Sequence, residues 1–288
     1  MSFTRKRIDV TLTLGTGQFG DSGSNTVTLS GLRVQTIVQA AAGEAMPATQ
    51  TRIYGIPLDM MCQLTQVGLI NSSVRFNNSI LIAAGDDETG LTTIYDGTIK
   101  ESWADLAGQP DAALNVIGVA GLAASLKPVG ALSFQGSADV ATIMQGLAST
   151  MGFTFENNGV SVQLSNPYFP GTALAQARAC ARAADIYMTI DRGVLAIWPK
   201  NGARTGGEIP TISDPTGKVG YPTFSSNGLG LITLFNALLK PGGLVQVQSA
   251  LTPACGTWKL TEASHTLESE TPNGQWFTRI LAFPQTNG

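Results

Sequence analysis

The chain has 288 residues, enough for two or three compact units, and carries a formal net charge of −3 with only 13% charged residues. No basic run exceeds Arg5-Lys6-Arg7, which excludes a groove that tracks nucleic-acid phosphates as the main ligand, and the single histidine, His265, excludes metal sites or triads that need two imidazoles. So neutral a surface gives little self-repulsion, and it points to burial against other subunits.

Asp9 and Thr11 interrupt the residues behind the basic start, so the beginning of the chain does not read as a signal peptide. Arg7 to Leu14 alternate: Ile8, Val10, Leu12 and Leu14 face one way, Asp9, Thr11 and Thr13 the other, as in a strand buried on one side. A glycine-rich turn, Gly15 to Ser24, follows. Strands are expected at Thr26 to Leu29, Leu32 to Gln39 and Gln50 to Ile56, with a small loop from Gly43 to Thr49. Pro57 to Leu64 reads as a short helix with its proline in the first turn and Leu58, Met61, Cys62 and Leu64 as its apolar side. Strands resume at Ile80 to Ala84, Leu91 to Tyr95, Gly97 to Trp103 and Ala113 to Val119, with a polar turn from Gly85 to Gly90. Such a run of short strands with one helix suggests a barrel or sandwich.

The middle changes character. Ser137 is placed to cap a helix running to Met151, whose Val140, Ile143, Met144, Leu147 and Met151 share a face, and Gly152 supplies the left-handed stop. Asn157-Asn158-Gly159 between Phe153–Glu156 and Val160–Leu164 predicts a hairpin. A second helix fits Thr172 to Asp185, with Leu174, Ala177, Ala181 and Ala184 inward. A second hairpin joins Ile186–Ile190 to Val194–Trp198 through Asp191-Arg192-Gly193. Pro199 to Thr216, rich in Gly, Pro and Thr, is a linker.

The last third is again strands: Gly220–Phe224, Leu229–Asn236, Leu244–Ser249 after a Lys240–Gly243 turn, Thr257–Glu270, and Gln275–Pro284. Val245 and Val247 alternate with Gln246 and Gln248, and Trp276, Thr278, Ile280 and Ala282 share a face. The charge-free run Val219 to Leu239 is long enough for a membrane span, but Pro222, Ser225, Ser226, Asn227 and three glycines exclude a membrane helix. Cys62, Cys180 and Cys255 are odd in number and far apart, as suits buried thiols in a reducing compartment.

Candidate chemistry is thin. Gly15-Thr16-Gly17-Gln18-Phe19-Gly20 spells a dinucleotide fingerprint, but Asp21 to Asn25 continue it as a turn where a helix is required, and the strand before it is buried on one side only. Ser264 and Glu262 or Glu268 near His265 invite comparison with a triad, yet strand neighbours point to opposite faces. Asp86-Asp87-Glu88 lacks the spaced ligands of a calcium loop. Glu262, Glu268 and Glu270 share strand parity and read as an exposed acidic face rather than a glycosidase pair. Arg178 and Arg182 suit a salt bridge, a subunit contact or a solvated helix face. Trp103, Trp198, Trp258 and Trp276 leave open a receptor- or carbohydrate-binding protein as the alternative reading, and a cell-wall hydrolase is a third. No catalytic, cofactor-binding or metal-binding residue is assigned, and the chain is read as no enzyme.

The final block resembles the C-terminal part of baseplate hub proteins of contractile-tailed bacteriophages. The residues that carry this are Phe235-Asn236 at a strand end, the Pro241-Gly242-Gly243 turn, Trp258-Lys259-Leu260 before the strand of His265, and Trp276-Phe277-Thr278. Thr51 to Thr65 looks like the family's first barrel entering its short helix. The resemblance implies a β-rich α+β fold: a first tube-type antiparallel β-barrel domain (1–133), a small helix–hairpin α/β domain (134–200) and a second tube-type barrel (201–288), the two barrels superimposing. It also implies a homotrimer that joins the hexameric tail tube protein to the trimeric central spike protein among other baseplate proteins. DNA would be met only in transit through the lumen, with no membrane insertion, in a virion tail baseplate assembled in the host cytoplasm. A chain ending at Gly288 implies that the spike is a separate protein.

Overall fold

The computed structural model describes residues 4–20, 23–65, 78–108, 110–226 and 228–285. Asp21 and Ser22 of the glycine-rich turn, and Asn227, lie outside the described residues. The fold is β-rich α+β, and the chain divides into two compact units. One contains Met1–Gln39, Pro47–Leu122 and His265–Phe277; the other contains Ala40–Met46, Ala123–Ser264 and Thr278–Gly288.

The first unit is built on β1 (Lys6–Thr13), β2 (Thr26–Leu29), β3 (Val34–Ala41), β4 (Ala48–Tyr54), α1 (Leu58–Leu64), β5 (Ser79–Asp86), β6 (Gly90–Asp105) and β7 (Ala113–Val119). The strands lie in the order β3-β4-β7-β6-β5-β1-β2, an open path with antiparallel neighbours. The alternation in β1 fixes its register. Ile8, Val10 and Leu12 are buried, while Thr11 and Thr13 pair hydroxyls with Thr28 and Thr26 across to β2 at 2.9 and 3.0 Å. In α1, Met61 and Leu64 are buried, but Leu58 and Cys62 are exposed, so the apolar side is narrower than the sequence suggests. Pro57 stands at the N-cap.

One expectation fails here. Leu91–Tyr95 and Gly97–Trp103 are a single strand, β6, with a register irregularity against β7 between Ile99 and Glu101. Gly97 is no break. A Cβ there would collide with the hydroxyl of buried Tyr95, so the glycine makes room for a ring within a continuous strand.

After α2 (Leu122–Leu126), the second unit begins with an α/β segment: β8 (Leu132–Ser133), β9 (Ser137–Asp139), α3 (Val140–Met151), β10 (Thr154–Asn157), β11 (Gln163–Ser165), β12 (Tyr168–Phe169), α4 (Ala173–Ala183), β13 (Ile186–Asp191) and β14 (Val194–Pro199). Asp139, not Ser137, caps α3: its Oδ2 accepts from the Thr142 amide at 2.9 Å. Ser137 lies in β9, where its hydroxyl donates to Gln163 at 3.1 Å. Gly152 ends the helix at φ 80°, with Phe153 N returning to the Ala148 carbonyl at 2.9 Å. The predicted β13–β14 hairpin forms, with Arg192 and Gly193 both at positive φ, as a two-residue turn requires.

The Asn157-Asn158-Gly159 hairpin does not form. Asn157 clamps Val160 through Oδ1 and Nδ2, and buried Asn158 donates to the Ile197 carbonyl, so the chain turns away. β10 pairs in parallel with β14, and β11 pairs with β9.

The strand block adds β15 (Thr211–Ile212), β16 (Lys218–Ser225), β17 (Gly228–Leu234), β18 (Leu244–Val247), β19 (Gly256–Ser269) and β20 (Trp276–Pro284). β16, β17, β20 and β19 are successive neighbours, and β18 bonds to β19 and β15. Val245, Val247, Leu229, Leu231, Leu260, Ile280 and Ala282 fill one buried cluster with Trp258. Each buried valine, leucine or isoleucine among them contributes about 1.5–3 kcal/mol. No closed barrel forms among the described residues.

Candidate interaction surfaces

The residues with catalytic or ligand-binding potential are mostly occupied by structural partners. Gly15 to Gly20 open into β2, closed as a loop by Gly15 N to Asn78 Oδ1 at 3.0 Å and Phe19 N to the Ser24 carbonyl at 2.8 Å. His265 is buried on the same side of β19 as Leu267, and Ser264 takes the opposite face. Asp86 Oδ1 accepts from Thr89 N and Thr89 Oγ1, both at 2.8 Å, and Oδ2 pairs with Lys6 at 3.0 Å; the Thr89 amide is the foremost cause holding this carboxyl well below the usual range. Asp87 pairs with Arg7 at 3.4 Å.

The acidic face is also broken up. Glu268 accepts from Gln275 N at 3.2 Å, and Glu270, at φ 51° beyond the end of β19, pairs with Arg5 at 2.7 Å. Arg178 and Arg182 both go to Glu44, one to its carbonyl at 2.7 Å and one to its carboxylate at 3.4 Å. Trp198 and Trp258 are buried and unavailable as sugar platforms, whereas Trp103 is exposed. Among the described residues no group of His, Cys, Asp and Glu could hold a metal ion, and no helix is long and apolar enough to cross a membrane.

The most charged locus of the second unit was not legible in the sequence. Arg204 sits in the glycine- and proline-rich linker with its side chain only 2% exposed. It binds both oxygens of Glu156, at 2.9 and 2.7 Å, and Asp191 Oδ2 at 3.3 Å. Arg192 adds a contact to Asp191 at 3.5 Å and donates to the Ala237 carbonyl at 2.8 Å. Burial pushes the Glu156 carboxyl up, but hydrogen bonds from Arg204 and Asn158 prevail and bring it down to about 2. Burial, followed by repulsion from Arg204, lowers Lys240. Beside this node Gly242 packs on Trp198: at φ 80°, a Cβ would come within 2.6 Å of the indole Cζ2. The arrangement ties the α/β segment to the final strands within one unit, so it serves structure.

Among the described residues, two surfaces are of a kind that suits partners. In the first unit, the strand registers align outward side chains in rows: Gln35, Arg52, Asn115 and Trp103 in one, Ile37, Gln50, Ile117 and Glu101 in the next. All of these except Glu101 line, together with Thr266, Glu268 and Gln275, an open groove of about 470 Å³. Its cation is neutralised, since Arg52 bonds Asp105 at 2.7 Å. The face is therefore rich in amides and offers no unopposed positive charge. In the second unit, the outermost strand β16 exposes Val219, Tyr221 and Phe224, and Ile232 on β17 is exposed opposite Val219.

The family model described as baseplate hub gp41 matches residues 7–276. No curated protein sequence matches. Among solved structures, the fold is similar to the 43 kDa tail protein of prophage MuSo2 from Shewanella oneidensis, with a TM-score of 0.62 at 10% identity, covering 96% of this chain and 97% of that one. It is similar to a tail protein from Neisseria meningitidis MC58, at 0.62 and 9% identity over 96% of each chain. It also resembles an E. coli component of the type VI secretion system described as structurally similar to the T4 tail proteins gp27 and gp5, at 0.60 and 13% identity over 89% of this chain and 74% of that one. At these identities the likeness is one of fold.

Proposed function

The chain belongs to the baseplate hub gp41 family, which makes it a structural component of a phage tail baseplate, and from that premise we propose that it is a trimeric adaptor between the hexameric tail tube and the trimeric central spike. In this reading residues 1–133 and 201–288 are the two tube-like parts and 134–200 the decoration between them. Three chains then present six such parts to the tube. The mechanism is geometric: strands of neighbouring chains complete a lined ring through which DNA passes, and no bond is made or broken.

The observation that carries this reading is the amide-rich face of β3, β4, β7 and β6, where Arg52 is neutralised by Asp105. DNA is held by cations that release its counterions. A wall of Gln35, Gln50 and Asn115 offers dipoles without fixed positive charge, which suits a polyanion that must slide past.

Mass photometry and low-resolution microscopy of the purified chain, alone and with its tube and spike proteins, test the proposal. A threefold ring with a central opening is expected. A stable monomer at high concentration that joins neither partner overturns it.

A further inference from the structure

We propose that the groove on the face of β3, β4, β7 and β6 holds an unpaired nucleobase at a DNA end, stacked on the indole of Trp103. Trp103 is 42% exposed, and among the described residues it has no ring, cation or hydrogen-bond partner. Asn115 stands directly opposite it on β7, which brings the two Cβ atoms to about 5 Å. The side-chain amides of Asn115 and Gln50 bond to nothing among the described residues, whereas Gln35 accepts from the Tyr54 hydroxyl at 3.2 Å. Beside them Ile37 is 39% exposed and Ile117 is half-buried. The groove of about 470 Å³ thus combines an idle aromatic face, two apolar side chains and two idle amides.

These groups select by chemistry. The guanidinium of Arg52 is paired with Asp105 at 2.7 Å, and Glu268 lines the same groove, so a phosphate finds no free cation there. A nucleobase is flat, uncharged and edged with donors and acceptors. Its face suits the indole, and its edge suits an amide. Inside a duplex every base is stacked on both faces, so duplex DNA offers the indole nothing and slides past. Only an end with unpaired bases engages the groove. The inference rests on the conduit reading above, to which it adds the ligand. In a threefold ring lined by this face, three such grooves meet a DNA end before the duplex behind it.

Fluorescence anisotropy with the full chain tests it, using a single-stranded oligodeoxynucleotide of about ten nucleotides and a blunt duplex of the same length. The single strand is expected to bind the wild type more tightly than the duplex. Trp103→Ala, checked for folding by circular dichroism, is expected to lose about fivefold or more of that affinity, and Trp103→Phe to keep most of it. The logarithmic salt slope should be the same for wild type and Trp103→Ala, because no phosphate contact is removed. The indole N–H resonance of Trp103, assigned by its loss in Trp103→Phe, should shift when the single strand is added to the wild type. Equal affinity of wild type and Trp103→Ala with an unmoved indole resonance overturns the base site. So does a resonance that moves with a neutral oligosaccharide but not with DNA. Mass photometry of the same samples separates the two readings. A threefold ring that ignores single strands removes this inference alone, and a chain that stacks the base yet joins neither tube nor spike protein removes the adaptor reading alone.

Discussion

Arg204 grips Glu156 through Nε and Nη2, at 2.9 and 2.7 Å, with its side chain almost wholly out of water. A buried guanidinium that lost this partner would be stranded, and so would the carboxylates. Arg204→Met is therefore expected to lower unfolding stability by about 3–5 kcal/mol, because Glu156 and Asp191 are left with imperfect cationic partners. Denaturant unfolding measures it; a loss under about 1 kcal/mol would mean that the node carries no weight.

The same pair predicts a pH dependence. The folded Glu156 carboxyl titrates at about 2, below its ordinary 4.5, so as pH falls the unfolded chain binds this proton first. Its contribution is full above about 4.5 and disappears as pH falls towards about 2. The stability gap between wild type and Glu156→Gln should shrink over that window and stay constant above it. A gap that widens on acidification contradicts the assignment.

Gly242 and Trp198 give a steric prediction. Gly242→Ala places a methyl against the indole at a left-handed φ, and both effects destabilise, by about 2 kcal/mol or more in sum. The Trp198→Phe change removes the atoms that a Cβ would meet. In a double-mutant cycle the two costs should fall short of additivity; strict additivity would show that strain at φ alone is responsible.

Much of this was legible from residue patterns where one local force decides. β1 declares itself because its buried face is strictly alternate, and the Arg192-Gly193 turn because few residues accept positive φ in pairs. Gly97 misleads, since a glycine placed to admit Tyr95 looks the same as a glycine that ends a strand. Asn157-Asn158-Gly159 misleads because its side chains bond forward to Val160 and across to β14, choices set by tertiary neighbours. Arg204 is invisible: nothing in a linker indicates that it reaches Glu156 and Asp191, which lie on separate strands.

The cap of α3 offers a small test of local reasoning. Asp139→Ala removes the oxygen that satisfies Thr142 N and should cost about 1 kcal/mol, whereas Ser137→Ala loses one exposed hydroxyl contact and should be close to neutral. Thermal unfolding of the two variants separates them. Equal losses would restore Ser137 to the capping role that its position in the sequence suggests.

The amide-rich face bears the functional reading, and charge can probe it without touching the core. Gln50 is exposed and Asn115 half-buried on that face, so lysine at both leaves Thr51 and Val116, which point inward, undisturbed. Stability should change by no more than about 0.5 kcal/mol per site. If this face lines the conduit, the assembled variant gains affinity for double-stranded DNA, and the logarithmic salt slope steepens by about 0.9 per phosphate engaged. DNA release from particles carrying the variant should slow correspondingly, while the paired change to glutamate leaves release unhindered. Unchanged DNA binding and release in the lysine variant, with assembly intact, would place this face away from the path of the DNA.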